Sequence, residues 1–172
     1  MTTAKNNTYI KLISLVLALI TAASAFSLTS VTFEAASKPQ TAYNAVAKAY
    51  GKAFPLKKSD VISSKKRLMG VRTADLKSYY AASKTVGGSK SKEEYLVFIA
   101  EVKDSSKVKS VKTQITNYVS NEESSMKNYL SPKGKKLFKN AKIRTKGNFV
   151  YVVMIDTSAN KKAVKALKKT LK

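Results

Sequence analysis

The chain contains no cysteine, no histidine and no tryptophan. Without cysteine there is no disulfide and no residue to carry a lipid. Without histidine, the usual zinc sites and the Ser-His and Cys-His nucleophile systems are excluded. Acidic residues are also scarce: 10 Asp+Glu face 33 Lys+Arg, for a net charge of +23. A lysine excess produced by codon composition alone would raise glutamate too, yet Glu occurs only six times. Arginine is nearly missing as well, with Arg67, Arg72 and Arg144 the only three. Planar, two-pronged reading of guanine or phosphate is arginine chemistry, so its scarcity argues against sequence-specific nucleic-acid recognition. What remains is a field of lysine point charges, suited to loose, salt-sensitive contact with polyanions.

Much of the N-terminus is uncharged. Lys5 and Lys11 precede a 22-residue uncharged run, Leu12–Phe33, whose strongly apolar part is Leu12–Ile20. A basic start, a short apolar centre and small residues behind it predict a secretory signal peptide over residues 1–36. Cleavage fits after Ala25, or later near Ala35/Ala36. The run is also long enough to be kept as an anchor, against which the Ser and Thr residues of 27–32 weigh. Removal leaves 136 to 147 residues, the size of one domain, assigned to residues 37–172.

The remaining pattern is organised around Glu94–Val102, which is apolar on both alternating faces and therefore reads as a central strand, with Glu94 and Glu101 at its wet ends. Before it, Tyr43, Val46, Tyr50 and Phe54 form one helical stripe ended by Pro55, and Lys57–Arg67 is a basic connector. Ala74–Ala82 alternates as a strand, and Ser83–Lys92 with Gly87-Gly88 reads as a loop. After it, Ser105–Leu130 places Val108, Val111, Ile115, Tyr118, Glu122, Met126 and Tyr129 on one helix face. Ser131-Pro132 is a cap followed by a short helix, Lys133–Asn140. Ala141–Lys146 alternates with a basic face, Gly147-Asn148 signals a hairpin, and Phe149–Ile155 is a second strand apolar on both faces. Lys161–Lys172 closes the chain as a helix with Val164, Leu167 and Leu171 inward. The order α-ββ-α-α-ββ-α predicts an α+β domain, two-layer, with a mainly antiparallel sheet of about four strands covered by helices.

The stretch running from the apolar strand through the long helix ending at Tyr129, Pro132, Leu137, Asn140-Ala141 and Lys146-Gly147-Asn148-Phe149-Val150 resembles the family catalogued as domain of unknown function 4358. The likeness covers roughly Tyr43–Leu171 and rests on turn, core and aromatic positions. It implies an exported protein of a Gram-positive bacterium. Many members are lipoproteins; lacking Cys, this chain is not expected to be one. The resemblance supplies no catalytic residue.

Nor do the residues suggest one. The adjacent pairs Glu93-Glu94 and Glu122-Glu123 point apart on a strand or helix, so neither is a natural acid–base dyad. Ser and Lys are too abundant for any Ser-Lys pairing to stand out. The chain is expected to be non-catalytic, with no cofactor and no metal. Between Lys127 and Lys172 there are 14 Lys/Arg and one acid, Asp156. The candidate polyanion-binding residues are Lys133, Lys135, Lys136, Lys139, Lys142, Arg144, Lys146, Lys161, Lys162, Lys165, Lys168 and Lys169. They merge into one surface if the last helix lies beside the 141–146 strand. The expected partner is an anionic cell-wall polymer or membrane surface, with the protein extracellular or wall-associated. The alternatives are an extracellular nucleic-acid or anionic-lipid binder, and a protein-partner module using exposed aromatics.

Overall fold

Alternation is suppressed in the two most apolar segments because both of their faces are covered. The structure, a computed structural model, describes residues 36–63 and 67–171. The expected signal peptide and its cleavage points therefore lie outside the described residues, apart from Ala36. Residues 36–172 form one compact unit. Its elements are α1 (Lys38–Tyr50), a small hairpin of β1 (Arg67–Leu68) and β2 (Val71–Arg72), β3 (Leu76–Val86), β4 (Glu93–Val102), α2 (Val108–Met126), α3 (Pro132–Lys139), β5 (Arg144–Lys146), β6 (Phe149–Met154) and α4 (Lys161–Thr170). Among the described residues, no helix is long and apolar enough to cross a membrane.

The main sheet has the order β3-β4-β6-β5, antiparallel throughout. The two strands without alternation, β4 and β6, are its centre, as the pattern predicts. Cross-strand partners share a face. Tyr80, Ile99, Tyr151 and Arg144 are successive partners and lie on one side. Tyr43 of α1 packs on Tyr80 with ring centroids 4.5 Å apart, which puts α1 on that side. Glu94 has the opposite parity and faces Glu122 of α2. Helices thus cover both faces: α1 and α4 pack together on one, α2 and the small hairpin on the other. The α+β class and the mainly antiparallel four-stranded sheet covered by helices are as expected, with helices on both faces of the sheet. The double burial of β4 and β6 requires this, since a sheet with one open face would keep polar residues there.

Four local readings change. Glu94, expected at a wet strand end, is only 4% exposed, whereas Glu101 does reach solvent and pairs with Lys77 at 3.0 Å. β3 runs on to Val86 through residues expected to be loop, because β4 pairs with it residue by residue as far as Glu93. The connector ends in a strand: Arg67 and Leu68 turn back through Met69 and Gly70, both at positive φ, onto Val71 and Arg72. Tyr129, placed on the inward stripe of α2, lies beyond the helix end and is 47% exposed, with the Lys92 ammonium 5.3 Å from its ring centroid.

α3 is fixed at the end of the sheet where β4 begins. Ser131 caps it, its Oγ accepting from the Gly134 N–H at 2.9 Å, with Pro132 in the first turn. Gly134 abuts the Lys92 carbonyl, and a Cβ there would overlap that oxygen and meet Leu130 Cδ2 at 3.2 Å. Lys92 and Leu130 pair as an isolated bridge, which draws the chain this close.

A basic groove between α4 and β5

α4 begins where it does because of one asparagine. Asn160, 2% exposed and at φ 54°, receives the Ile155 and Asp156 N–H groups on its Oδ1 at 3.0 and 3.2 Å. Its own N–H donates to Asp156 Oδ1 at 3.1 Å, and its Nδ2 donates to the Asn140 carbonyl at 3.4 Å. Asp156 also receives both the N–H and the hydroxyl of Ser158, at 2.8 and 2.7 Å, and the Tyr50 hydroxyl of α1 donates to its other oxygen. Burial pushes the Asp156 carboxyl up, but these hydrogen bonds outweigh it and hold the group below its ordinary range. Burial first, and the same contact second, push the Tyr50 hydroxyl well above its usual value. A single network therefore ties α1, the β6–α4 turn and the end of α3 together.

From that start, Ala163, Leu167 and Leu171 recur at a spacing of four and are buried, which turns the intervening lysines outward. Val164, expected inward, is half-buried at the flank. The far end is held by Lys146 of β5, whose Nζ donates to the Lys168 carbonyl at 2.8 Å. A cation there also suits the negative end of the helix dipole. The last helix does lie beside the basic strand.

Between them runs an open groove of about 700 Å³ lined by Lys142, Arg144, Lys161, Lys165, Lys168 and Lys169, with Ala159 and Val164 as its apolar floor. None of these residues is acidic. The ion pairs among the described residues use Lys77 and Lys133, so the groove cations have no carboxylate partner there. A second groove of about 670 Å³ lies between α1 and α4, lined by Lys48, Lys162, Lys165 and Lys169 over Ala45, Ala49 and Ala166. Lys165 and Lys169 border both, so α4 is a cationic ridge between two channels.

The other candidates are placed differently. Lys162 faces the second groove, its ammonium 5.3 Å from the Tyr50 ring centroid. Lys146 is engaged as the helix brace. Lys133 pairs with Glu93 at 2.9 Å and donates to the Tyr95 hydroxyl at 2.8 Å. Lys135, Lys136 and Lys139 lie on α3 and line neither groove. Lys48 was not among the candidates. It sits beside the apolar stripe of α1 and becomes part of a site only because α1 packs on α4, more than a hundred residues away in sequence.

Glu93 turns to Lys133 and Tyr95 while its neighbour Glu94 turns to α2, so this adjacent pair points apart. Glu94 and Glu122 face each other under α2. Burial first, and Glu122 second, push the Glu94 carboxyl from 4.5 up to about 7. Both charges on Glu94 and Glu122 also raise the half-buried Tyr118 hydroxyl, after burial as the main cause. These carboxylates line neither groove, and among the described residues no group of three or more metal-ligating side chains forms.

Residues 48–155 match the model of a protein family described as Domain of unknown function (DUF4358). No curated protein and no solved structure matches the chain.

Proposed function

We propose, for a chain that belongs to the DUF4358 family of domains of unknown function, a non-catalytic role in which the groove between α4 and β5 binds anionic polymers of the cell envelope. The reading is supported above all by the gathering of six cations around one groove without an acid among them. Like charges brought together in a fold repel one another, and a polyanion relieves that repulsion while releasing its own counterions. Lysine suits the task because its compact charge on a flexible stem follows a mobile chain rather than clamping one fixed geometry. Export by the N-terminal segment belongs to the same proposal, since it delivers the groove to the compartment where such polymers lie.

The test is binding of the full-length chain to isolated teichoic-acid-bearing walls across a salt series. Retention at low salt and release as salt rises is the expected result. Absence of binding at low salt refutes the reading. Immunoblotting of cell fractions tests the export half separately: protein confined to the cytoplasm would remove the polymer from reach.

A further inference from the structure

Resting on the polyanion reading, we infer that the occupant is a base-free polyol-phosphate chain, a linear phosphodiester with one charge per repeat, lying along α4. Two observations carry this, the pitch of the cations and the chemistry of the walls.

The pitch comes from helix geometry. Lys161, Lys165 and Lys169 recur every fourth residue along one side of α4, which spaces their charges about 6 Å apart along the axis. On the opposite wall Lys142 and Arg144 are two residues apart, which limits their backbone separation to roughly 7 Å. The groove therefore offers two facing rows of cations with nearly the same period. A phosphodiester whose repeat contains six backbone bonds places its charges roughly 7 Å apart when extended, twice the reach of one amino-acid residue. An α-linked polyglutamate, by contrast, carries a charge about every 3.5 Å, and duplex DNA one per about 1.7 Å of axis. The six-bond phosphodiester falls into step with both rows at one charge per cation, whereas an extended polyglutamate turns every second carboxylate away from them.

Single-stranded nucleic acid shares that six-bond period, so the walls must separate the two. Proteins that bind single strands stack the bases on aromatic side chains. The residues lining the two grooves are lysine, arginine, alanine, valine and threonine, with no aromatic among them. The apolar floor is a shallow run of methyl groups from Ala159 and Val164 on one side and Ala45, Ala49 and Ala166 on the other. It accepts a thin aliphatic backbone, and the Tyr50 ring beside the second groove carries the Lys162 ammonium over its face rather than lining the floor. Lys165 and Lys169 border both grooves and can close over phosphates in either, so they are the central contacts.

The experiment measures affinity of the full-length chain, at one low salt concentration and then across a salt series, for four ligands matched in charge. These are lipid-free poly(glycerol phosphate), oligothymidylate, poly-α-glutamate and phosphatidylglycerol vesicles. Poly(glycerol phosphate) is expected to bind tightest, by about tenfold. The double variant Lys165→Gln/Lys169→Gln is expected to weaken it by about tenfold and reduce the salt slope by about two, with the far-ultraviolet circular dichroism unchanged. Lys135→Gln/Lys136→Gln removes the same charge outside both grooves and is expected to have a markedly smaller effect. Equal binding of all four ligands, or equal loss in the two double variants, overturns this inference and leaves the electrostatic reading standing. Tighter binding of oligothymidylate, polyglutamate or vesicles overturns it in favour of that ligand. Binding to none of the four defeats both.

Discussion

Replacing Glu94 by glutamine should change how stability depends on pH, and the sign is unusual for a carboxylate. In the folded chain its carboxyl is raised to about 7 from an ordinary 4.5, mainly by burial and then by Glu122. The groups that face it are Glu122 and Tyr118 on α2 and, as its strand partner, Thr85 on β3. None supplies a positive charge. Below about pH 4.5 the group is protonated in both folded and unfolded chains and costs nothing. Between 4.5 and 7 the unfolded chain ionises first, so the folded state binds more protons and stability falls as pH rises. Above 7 the loss is complete. At about 1.4 kcal/mol per pKa unit, the rise corresponds to an upper bound of about 3.5 kcal/mol. Glu94→Gln keeps the shape and hydrogen-bonding capacity but cannot ionise. The assay is urea unfolding of the full-length wild type and variant at pH 5 and pH 8. Other titrating groups cancel in the comparison. The variant should lose less stability, or gain more, between the two pH values, by roughly 2 to 3 kcal/mol. Identical pH dependence in the two chains would refute the argument. Glu122→Gln should recover a smaller share, because Glu122 is the lesser of the two causes.

Three further substitutions test how the elements are held. Asp156→Ala removes the acceptor shared by Tyr50, Ser158 and Asn160 and should destabilise the fold by about 2 to 3 kcal/mol in chemical denaturation, since the loss strands several polar groups. Gly134→Ala drives a methyl into the Lys92 carbonyl and should cost about 1 to 3 kcal/mol even though alanine is the better helix former, so a stabilised variant would contradict the close packing of α3 on β4. Ser131→Ala deletes the cap of α3 and should cost about 1 kcal/mol, read as a small fall in the urea midpoint at unchanged slope.

The elements that were legible are those whose signal is local. β4 and β6 announce themselves as apolar on both parities, α3 by Ser131-Pro132, and the final hairpin by Gly147-Asn148. The small hairpin at Arg67–Arg72 was not, because two-residue strands leave no periodicity and its turn places Met69, not only a glycine, at positive φ. Glu94 was misplaced for a similar reason. Charge at a strand end usually marks solvent, and only the path of α2, set by Val111, Ile115 and Val119, decides that this end is roofed. The groove was half legible. Its lysines are dense in the sequence, but which of them share a wall depends on α4 lying between β5 and α1. That packing selects Lys142, Arg144, Lys161, Lys165, Lys168 and Lys169, brings in Lys48, and leaves the α3 lysines aside.

Sheet parity then separates scaffold from surface. The buried acid and its neighbour lie on the α2 face, whereas the cations stand along the opposite face at the β5 edge. The groove lysines of α4 contribute no buried side chain to the core, which Ala163, Leu167 and Leu171 supply instead. Their mutual repulsion is therefore a cost that the fold bears without a compensating contact inside the molecule. Neutral residues at Lys161, Lys165 and Lys169 would satisfy the same helix, so the folding requirement does not account for their charge. A ligand that neutralises them would account for it, and the compensation would then appear only when the groove is occupied.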